Sequence, residues 1–362
     1  MAHLFLTRNL DSGFPTMLKP EDRIAIFMHN GLKGAKGKTG ISLLRYSQNP
    51  IVAVVDETAV GESVKTLTGI DTEVPIVGSV EDAMALNPTV LAIGLAPSGG
   101  RLPEPWYAEV KQAVKSGLSV MNGLHTLMNN DPAVAELMQP GRWVWDMRKE
   151  PEGLSVGGGR ARLLECDRVL TVGTDMAVGK MSTSIELNRA ARAKGLRSKL
   201  IATGQTGLML GEVGIPLDAI RVDYASGAVE QCLLEHGPEQ DILFVEGQGS
   251  LLNPASTATL PLIRGTQPTH LILVHKANLS HIQHFPDFKI PPIAEVVNLY
   301  ETVAAASGTF AEAKVVGIAL NTFGLSKREA MNAISITAKE TGLPCTDVVR
   351  FGGEALLSHV MS

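Results

Sequence analysis

The sequence predicts an α/β protein with two domains, each built on a parallel sheet. Short apolar, strand-like runs alternate with helical patterns in two successive series, which is typical of parallel sheets. A segment rich in Pro, Gly, Arg and Trp separates the two series at roughly 140–162. Because 362 residues suffice for two hydrophobic cores, we predict domains at 1–150 and 151–362, with the separating segment as a linker or covering loop.

The first series predicts a Rossmann-like domain. Its strand-like runs lie at 23–30, 51–58, 75–80, 89–96 and 118–125, and a helical stretch is predicted near 39–48. GLKGAKGKT at 31–39 follows the first strand, and Asp56 ends the second, as in units that bind dinucleotides. The extra lysines and the non-glycine positions spoil the glycine pattern, so a scaffold role is favoured over an occupied nucleotide site.

The second series predicts another parallel sheet. Its strands are expected at 167–174, 198–204, 241–247, 269–276 and 313–321, with helices near 179–194, 225–236, 293–306 and 326–341. Its second strand is followed by GQTGLMLG at 204–211, a candidate for the rim of a ligand crevice or a plain loop.

A phosphate-binding loop is predicted between the first strand and the first helix of the second series. VLTVGTDMAVGKMS at 169–182 contains two glycines and a lysine with the spacing G-x5-G-K, so that backbone N–H groups and a helix N-terminus face an anion. The predicted cofactor-binding residues are Gly173, Thr174, Ala177, Val178, Gly179, Lys180, Met181 and Ser182. NTPases place Ser or Thr after the lysine to hold Mg²⁺, but here Met181 follows it, so we expect the loop to grip phosphates without cleaving them.

Two acidic residues are candidates for a general base. Glu246 ends the strand of DILFVEGQG, and in open α/β sheets ligands gather at the carboxyl ends of strands. Asp175 lies inside the phosphate loop and is the second choice. The alternatives are that Glu246 caps a neighbouring helix and that Asp175 caps the helix following its loop.

Three basic residues are candidates for binding an acidic substrate. Arg148 and Arg264 lie in predicted loops, and Lys276 ends a strand. Arginines can pair with carboxylates through two hydrogen bonds, although a surface role is the ordinary alternative for all three.

Composition excludes several classes of protein. The net charge of −5 and the lack of a Lys/Arg-rich run argue against nucleic acid as a partner, and no apolar run is long enough to span a membrane. The start, MAHLFLTRNLDSGFP, does not resemble a signal peptide, and three scattered cysteines fit a reducing cytoplasm. His281 and His284 are the nearest approach to a metal motif, and a polar loop edge explains them as well, so no metal is expected.

The motifs resemble those of known families. GTDMAVGK and DILFVEGQG resemble the phosphate loop and the acidic strand of dethiobiotin synthetase and related P-loop ligases. Over roughly residues 20–350, including HNGLKGAKGKT, WDMRKEP and VEGQGSLLNP, the chain is similar to the D-glutamate N-acetyltransferase (DgcN-like) family, which combines a Rossmann-like domain with a P-loop domain.

This resemblance implies acetyl transfer from acetyl-CoA to the amine of D-glutamate, as part of D-amino acid catabolism. The loop would then bind CoA phosphates, no phosphoryl bond would break, and no metal would be required. The resemblance and the size also favour a homodimer. The alternatives are an ATP- and Mg²⁺-dependent ligase of the dethiobiotin synthetase type, which Met181 disfavours, and a non-enzymatic nucleotide sensor.

Overall fold

The structure, a computed structural model, describes residues 17–361. Its contacts divide the chain into two compact units. The N-terminal unit comprises residues 17–150 together with Gln205–Glu212, and the C-terminal unit comprises 151–204 and 213–361. Each unit carries its own parallel sheet, which confirms the predicted α/β class.

Strands and helices of residues 17–150 alternate along the chain. The strands are β1 (Ile24–Phe27), β2 (Ile51–Val55), β3 (Ile76–Val77), β4 (Val90–Ile93), β5 (Ser119–Asn122) and β6 (Val144–Asp146). The helices are α1 (Lys38–Tyr46), α2 (Val64–Thr68), α3 (Val80–Met84), α4 (Glu104–Lys115) and α5 (Pro132–Leu137). Short 3-10 turns lie at Ala35–Gly37, Ser98–Gly100 and Met128–Asn130.

These strands form one parallel sheet in the order β3-β2-β1-β4-β5-β6. This is the strand order of Rossmann-like folds, with the switch point between β1 and β4. All residues of β1, β4 and β5 are buried, because helices cover both faces of such a sheet.

The rest of the chain also alternates between strands and helices. The strands are β7 (Asp167–Gly173), β8 (Ser198–Ile201), β9 (Ile242–Val245), β10 (His270–Lys276), β11 (His281–Ile282), β12 (Phe285–Lys289), β13 (Lys314–Asn321) and β14 (Cys345–Thr346). The helices are α6 (Lys180–Ala193), α7 (Gln205–Met209), α8 (Val222–His236), α9 (Thr259–Thr266), α10 (Ile293–Ala305), α11 (Lys327–Thr341), α12 (Val348–Phe351) and α13 (Glu354–Val360). Short 3-10 turns lie at Arg160–Leu163, Leu217–Ala219 and Ala306–Gly308.

The C-terminal sheet is parallel, in the order β14-β13-β10-β7-β9-β8. After β7, the chain first places β8 and β9 on one side of this strand and then places β10, β13 and β14 on the other side. The switch point therefore lies at β7, and the segment after β7 occupies the crevice where ligands of such sheets bind. β11 and β12 form a separate antiparallel hairpin.

The core of the C-terminal unit is an apolar cluster between the sheet and its helices. Tyr300 is its largest fully buried member, and Leu170, Leu243 and Leu273 supply one residue each from β7, β9 and β10. Burial of such side chains contributes roughly 1.5–3 kcal/mol each, which outweighs the weak local propensity of short strands. The carboxyl ends of the strands, where the polar residues of the predicted site lie, are therefore stabilised by a large apolar layer.

Two expectations about chain organisation need correction. Residues 144–146, within the segment expected to be a linker or covering loop, form the edge strand β6, paired in parallel with β5, and both Val144 and Trp145 are buried. Three residues are too few for a periodicity signal, so tertiary pairing decides this strand. GQTGLMLG, a candidate for a crevice rim or a plain loop, is not a plain loop, since it contains the helix α7. Most of it groups with the N-terminal unit, where Thr206 Oγ1 lies 3.2 Å from Thr39 Oγ1.

The expectation about a signal peptide concerns residues 1–15, which lie outside the described residues. Among residues 17–361, no helix combines the length and the apolar character that crossing a membrane requires.

Candidate functional site

The phosphate loop runs from the end of β7 at Gly173 to the start of α6 at Lys180. Gly179 has φ of 120°, a conformation that favours glycine, and Ala177 adopts the left-handed region at φ 55°. The first N–H groups of an α-helix have no acceptor within the helix, so the start of α6 offers donors and a positive dipole to an anion. The backbone here has the form of an anion-binding loop.

Three neighbouring elements hold this loop in place. Thr174 N donates to the Val274 carbonyl at 3.1 Å, and the buried Tyr300 hydroxyl donates to the Gly173 carbonyl at 2.7 Å. Asn321 Nδ2 donates to the Val178 carbonyl at 2.9 Å. The loop is therefore fixed by β10, by α10 and by the end of β13, which preorganises it for binding.

Lys180 lies inside the loop that precedes it. Its Nζ donates to the Asp175 carbonyl at 2.7 Å, and the residue is buried. Met181 and Ser182 are half-buried. The Thr183 hydroxyl donates to the Gly179 carbonyl at 3.0 Å. The position that holds Mg²⁺ in NTPases therefore carries a thioether, and the neighbouring threonine hydroxyl already has an acceptor.

Asp175 binds its own surroundings. One carboxylate oxygen accepts from Met176 N at 2.6 Å and from Asn253 Nδ2 at 2.7 Å, and the other accepts from Gln283 N at 2.6 Å. The side chain is fully buried. Three donors on one carboxylate make Asp175 an anchor that ties the phosphate loop to two other loops. These contacts favour a positioning role for Asp175, and its role as the second choice of base stays a prediction.

Glu246 lies just past the end of β9, on the same edge of the sheet. It is 6% exposed, and Thr203 N donates to its Oε2 at 3.0 Å. Burial raises the pKa of Glu246 to about 7, against the opposing effects of backbone donors from Thr203 and Gly204 and the charge of Lys180. A carboxyl with a pKa near neutrality is suited to proton transfer at physiological pH.

The glycines after Glu246 allow close packing. A Cβ at Gly247 would lie 1.7 Å from the Thr171 carbonyl oxygen, so this position tolerates no side chain. Gly247 N donates to Thr171 Oγ1 at 2.8 Å, and this bond brings the loop after β9 against β7. The N–H group of Gly247 is therefore engaged in a hydrogen bond within the fold.

At the end of β10, one residue predicted for the site is joined by one that was not predicted. Lys276 is half-buried at this end of the strand. The neighbouring His275 is 9% exposed and its Nδ1 lies 2.8 Å from Thr174 Oγ1 of the phosphate loop. Burial lowers the pKa of His275 to about 4, so the imidazole is neutral at physiological pH. A polar residue at the end of a buried strand is the signal that could have found it.

Of the two predicted arginines, one lies in each unit. Arg148 belongs to the N-terminal unit, where it contacts His125 Nε2. Arg264 lies on α9, close to the start of β10; its carbonyl accepts from Gln267 Nε2, and the Gln267 carbonyl accepts from Arg168 near the start of β7. Arg264 is therefore at the amino-terminal edge of the sheet, opposite the phosphate loop.

Other residues that hold the site were not predicted from the sequence. Asn253 binds the Asp175 carboxylate, Tyr300 binds the Gly173 carbonyl, and Asn321 binds the Val178 carbonyl. None belongs to a motif that is recognisable in the sequence. Each reaches the loop from a segment at least 70 residues away in sequence, so no local pattern links it to the loop. Only their position at the carboxyl ends of strands, or on a helix packed there, brings them together.

The second glycine- and lysine-containing loop, in the N-terminal unit, is satisfied internally. Asp56 is fully buried and its carboxylate accepts from Asn30 N at 3.0 Å and Leu32 N at 3.1 Å. A Cβ at Gly37 would lie 2.3 Å from the Gly31 carbonyl oxygen, so the loop packs closely upon itself. These contacts support the scaffold role that was favoured for this loop.

In the described part of the chain, no group of three or more His, Cys, Asp or Glu side chains is arranged to hold a metal ion. His281 lies on β11 and His284 in the turn of the β11–β12 hairpin.

Comparisons with known proteins match both halves. A model described as "Domain of unknown function (DUF1611_N) Rossmann-like domain" matches residues 57–150. A second model, described as "Domain of unknown function (DUF1611_C) P-loop domain", matches residues 155–357, more than half of the chain. These matches agree with the fold of each unit.

Curated relatives and a solved structure extend the match. A protein of Tritonibacter scottomollicae named "D-glutamate N-acetyltransferase" is 33% identical over 77% of this chain and 83% of its own length. A protein of Pseudoalteromonas sp. with the same name is 31% identical over 78% of this chain and 84% of its own length.

The crystal structure of a DUF1611 family protein from Anabaena variabilis ATCC 29413 has 56% sequence identity and a TM-score of 0.92, and the match covers 94% of this chain and 99% of that one. These findings confirm the family resemblance that the motifs indicated. The chain therefore belongs to the DUF1611 family, and the two curated relatives matched above are named D-glutamate N-acetyltransferase.

Proposed function

We propose that this chain transfers the acetyl group of acetyl-CoA to the amine of D-glutamate. The observation that carries the proposal is the pairing, on one sheet edge, of a phosphate loop lacking the Mg²⁺-binding hydroxyl with Glu246, a buried carboxyl whose pKa is about 7. The names of the two curated relatives supply the substrate. Acetyl transfer needs a grip on CoA phosphates and a base, but no cleavage of a phosphoryl bond.

The phosphate loop is suited to hold CoA. CoA carries a pyrophosphate and a 3′-phosphate, and the loop offers the N-terminus of α6, the Lys180 ammonium and the Ser182 hydroxyl. Because nothing in this role requires a metal, Met181 after the lysine is compatible with it.

An exposed aromatic ring next to the loop is suited to the adenine of CoA. Phe323 is 75% exposed, and its N–H donates to Asn321 Oδ1 at 3.0 Å, while the same amide's Nδ2 binds the Val178 carbonyl. The loop that carries Phe323 is also held by Arg350, which donates to the Leu325 carbonyl at 2.9 Å. Stacking of a base on such a ring contributes roughly 1–3 kcal/mol.

Glu246 is our candidate general base. The ammonium of D-glutamate gives a proton to the Glu246 carboxylate, and the freed amine nitrogen bonds to the thioester carbonyl carbon. As the tetrahedral intermediate collapses, the C–S bond breaks, the nitrogen loses its second proton, and the thiolate takes up a proton and leaves as CoA. Lys276, at the same sheet edge, is the candidate partner for an acceptor carboxylate.

The cysteines support direct transfer over an acetyl-enzyme. Burial raises the pKa of the Cys232 and Cys345 thiols to about 12, and burial also raises the pKa of Cys166. A thiol in this state is a poor nucleophile, since the thiolate is the reactive form. The cytoplasm as location and a homodimer as assembly stay predictions from the sequence.

The decisive experiment incubates the protein with acetyl-CoA and a panel of D- and L-amino acids and follows the release of free thiol. We expect thiol release that depends on D-glutamate and yields its N-acetyl derivative. Thiol release with no acidic amino acid requirement contradicts the assigned substrate. Consumption of ATP in the presence of Mg²⁺, without thiol release, would instead establish the ligase alternative.

The role of the phosphate loop is tested separately with Lys180→Ala. Loss of a charge-assisted hydrogen bond costs about 1.5–3 kcal/mol, so KM for acetyl-CoA should rise about 10- to 100-fold while KM for the amino acid changes little. Lys194→Ala, an exposed lysine just beyond the other end of α6, is the matched control. Equal effects of the two variants would remove Lys180 from CoA binding.

A further inference from the structure

The C-terminal unit contains a cavity away from the phosphate loop. It has a volume of about 470 Å³ and is lined by the glycine run at 157–159, by Arg162 and Arg264, and by Gln267 and Phe310. The glycine run belongs to the Gly-rich segment at 140–162, and Arg264 was a candidate for binding an acidic substrate. The proposed acetyl-transfer site uses neither. This cavity therefore accounts for two features that the proposed function leaves without a role.

The cavity is strongly cationic. Two guanidinium groups line it, and in the described part of the chain its lining contains no acidic side chain. Both arginines are exposed. Arg162 Nη1 donates to the Gly159 carbonyl at 2.5 Å, and the Arg264 guanidinium lies 5.6 Å from the centre of the Phe310 ring. Neither contact neutralises a charge, so each guanidinium keeps donors for an anion.

The nearest buried acid is already engaged. Glu230 on α8 is fully buried and accepts from Gly158 N, from Arg160 N at 2.7 Å and from Arg160 Nε at 2.8 Å. This carboxylate holds the backbone of the glycine run in place, and its charge is paired with Arg160. The wall of the cavity is thus preorganised by a satisfied ion pair that leaves Arg162 and Arg264 to face the space.

The cavity lies apart from the phosphate loop. Arg264 is linked through Gln267 to Arg168, the second residue of β7, whereas the loop begins at Gly173. Five residues of strand span about 16 Å, so one small ligand cannot occupy both places.

We propose that this cavity binds a small polyanion, such as pyrophosphate, a phosphate ester or a di- or tricarboxylate, through Arg162 and Arg264. The half-buried Phe310 ring and Gln267 also line the cavity, together with Ser226, Thr309 and Ala311. Such a ligand would be an effector or a stabilising ion rather than the acetyl donor, because it binds at the opposite edge of the sheet.

The test measures binding of two probes, pyrophosphate and citrate, by calorimetry at low ionic strength. The protein carries Lys180→Ala, which weakens the phosphate loop and so isolates the second site. Adding Arg162→Gln and Arg264→Gln should lower the affinity for at least one probe by tenfold or more, since each charged hydrogen bond is worth about that factor. The probe that binds more tightly decides between phosphate and carboxylate ligands.

A charge-matched control is Lys327→Gln with Arg328→Gln, two exposed residues at the start of α11. An equal loss of affinity in this control would show only a general charge effect and overturn the proposal, as would absence of binding of both probes. Ala311→Glu, which places a carboxylate on the exposed rim, should also abolish binding and serves if the arginine variant fails to fold.

Acetyl transfer gives a readout that separates this inference from the proposed function. In an otherwise unaltered protein, Arg162→Gln with Arg264→Gln should leave KM for D-glutamate within about twofold. A tenfold rise in that KM would return Arg264 to the substrate site and overturn the second site. If the protein lacks acetyltransferase activity altogether, the binding experiment still decides this proposal.

Discussion

At the scale of single residues, Glu246 is governed by two opposing effects. Burial disfavours its charged form, whereas the N–H groups of Thr203 and Gly204 and the charge of Lys180 favour it. Burial has the larger effect, and the pKa rises to about 7. The same environment therefore makes the carboxyl a suitable base and makes its ionisation costly for the fold.

The first prediction concerns catalysis by this residue. Glu246→Gln should lower kcat by about 10²–10⁴-fold, the usual contribution of a general base, and leave KM for acetyl-CoA nearly unchanged. In the unaltered protein the rate should rise with pH through an apparent pKa of about 7, and this step should vanish in the variant. Steady-state kinetics from pH 5 to 9 measures both.

Glu295→Gln, an exposed acid in the first turn of α10, is the control for removal of one negative charge. Full turnover by the Glu246 variant would show that another group accepts the proton.

The second prediction concerns stability. Between pH 4.5 and about 7 the folded chain holds a proton on Glu246 that the unfolded chain has lost, so stability contributed by this group falls as pH rises. The loss is on the order of 3 kcal/mol and is complete above about pH 7. Glu246→Gln should escape it, so the variant gains stability relative to the unaltered protein at pH 8 compared with pH 5. Urea unfolding at both pH values measures this difference.

If the stability difference between the two proteins is the same at pH 5 and pH 8, the carboxyl is not buried in the way described.

At the scale of elements, the phosphate loop depends on long-range anchors. β7 and α6 determine where the loop begins and ends, but Asp175, Asn253 and Gln283 tie it to two distant loops. A loop held in this way binds an anion with little loss of conformational entropy.

The third prediction tests this anchoring. Asp175→Asn removes an acceptor and turns an amide N–H₂ towards a backbone donor, which should cost about 1–3 kcal/mol of unfolding free energy. KM for acetyl-CoA should rise severalfold, because the loop loosens, whereas kcat should change less than fivefold. A fall in kcat of a hundredfold at unchanged KM would restore Asp175 as the base.

Asp56→Asn is the matched control, because Asp56 has the same role in the loop of the N-terminal unit. It should lower stability by a similar amount without changing KM for acetyl-CoA.

At the scale of the whole molecule, the two glycine- and lysine-containing loops differ in what their backbone N–H groups face. The loop before α1 uses two of its N–H groups on the buried Asp56 carboxylate, and the loop before α6 directs a helix N-terminus and Lys180 at its centre. An anion should therefore act on only one of the two units.

The fourth prediction follows from this difference. Saturating CoA should slow hydrogen exchange in peptides covering 173–184, because a bound ligand stabilises the state to which it binds, and leave peptides covering 30–40 unchanged. Exchange mass spectrometry with and without CoA measures both. Protection of peptides covering 30–40 with none at 173–184 would move the phosphate site to the N-terminal unit.

The sequence by itself determined the α/β class, the two parallel sheets, and the places of Lys180, Met181 and Glu246 in the C-terminal unit. These follow from local patterns: a strand, a glycine-rich turn and a helix are consecutive in the chain, and polar strand ends meet at one sheet edge. The interpretation of Met181 as a residue that offers no hydroxyl to Mg²⁺ is unchanged, since it directly follows the lysine of the phosphate loop.

The tertiary structure alone decided what surrounds these residues. It showed that the Asp175 carboxylate accepts hydrogen bonds from three donors and that His275 contacts the phosphate loop. It also showed that Arg264 lies at the amino-terminal edge of the sheet. Two features depend on segments far apart in sequence. One is the edge of the sheet at which a helix residue lies, and the other is the set of donors that reach a carboxylate. Hydrogen bonding and burial of this kind arise only when the chain has folded, so no local pattern encodes them.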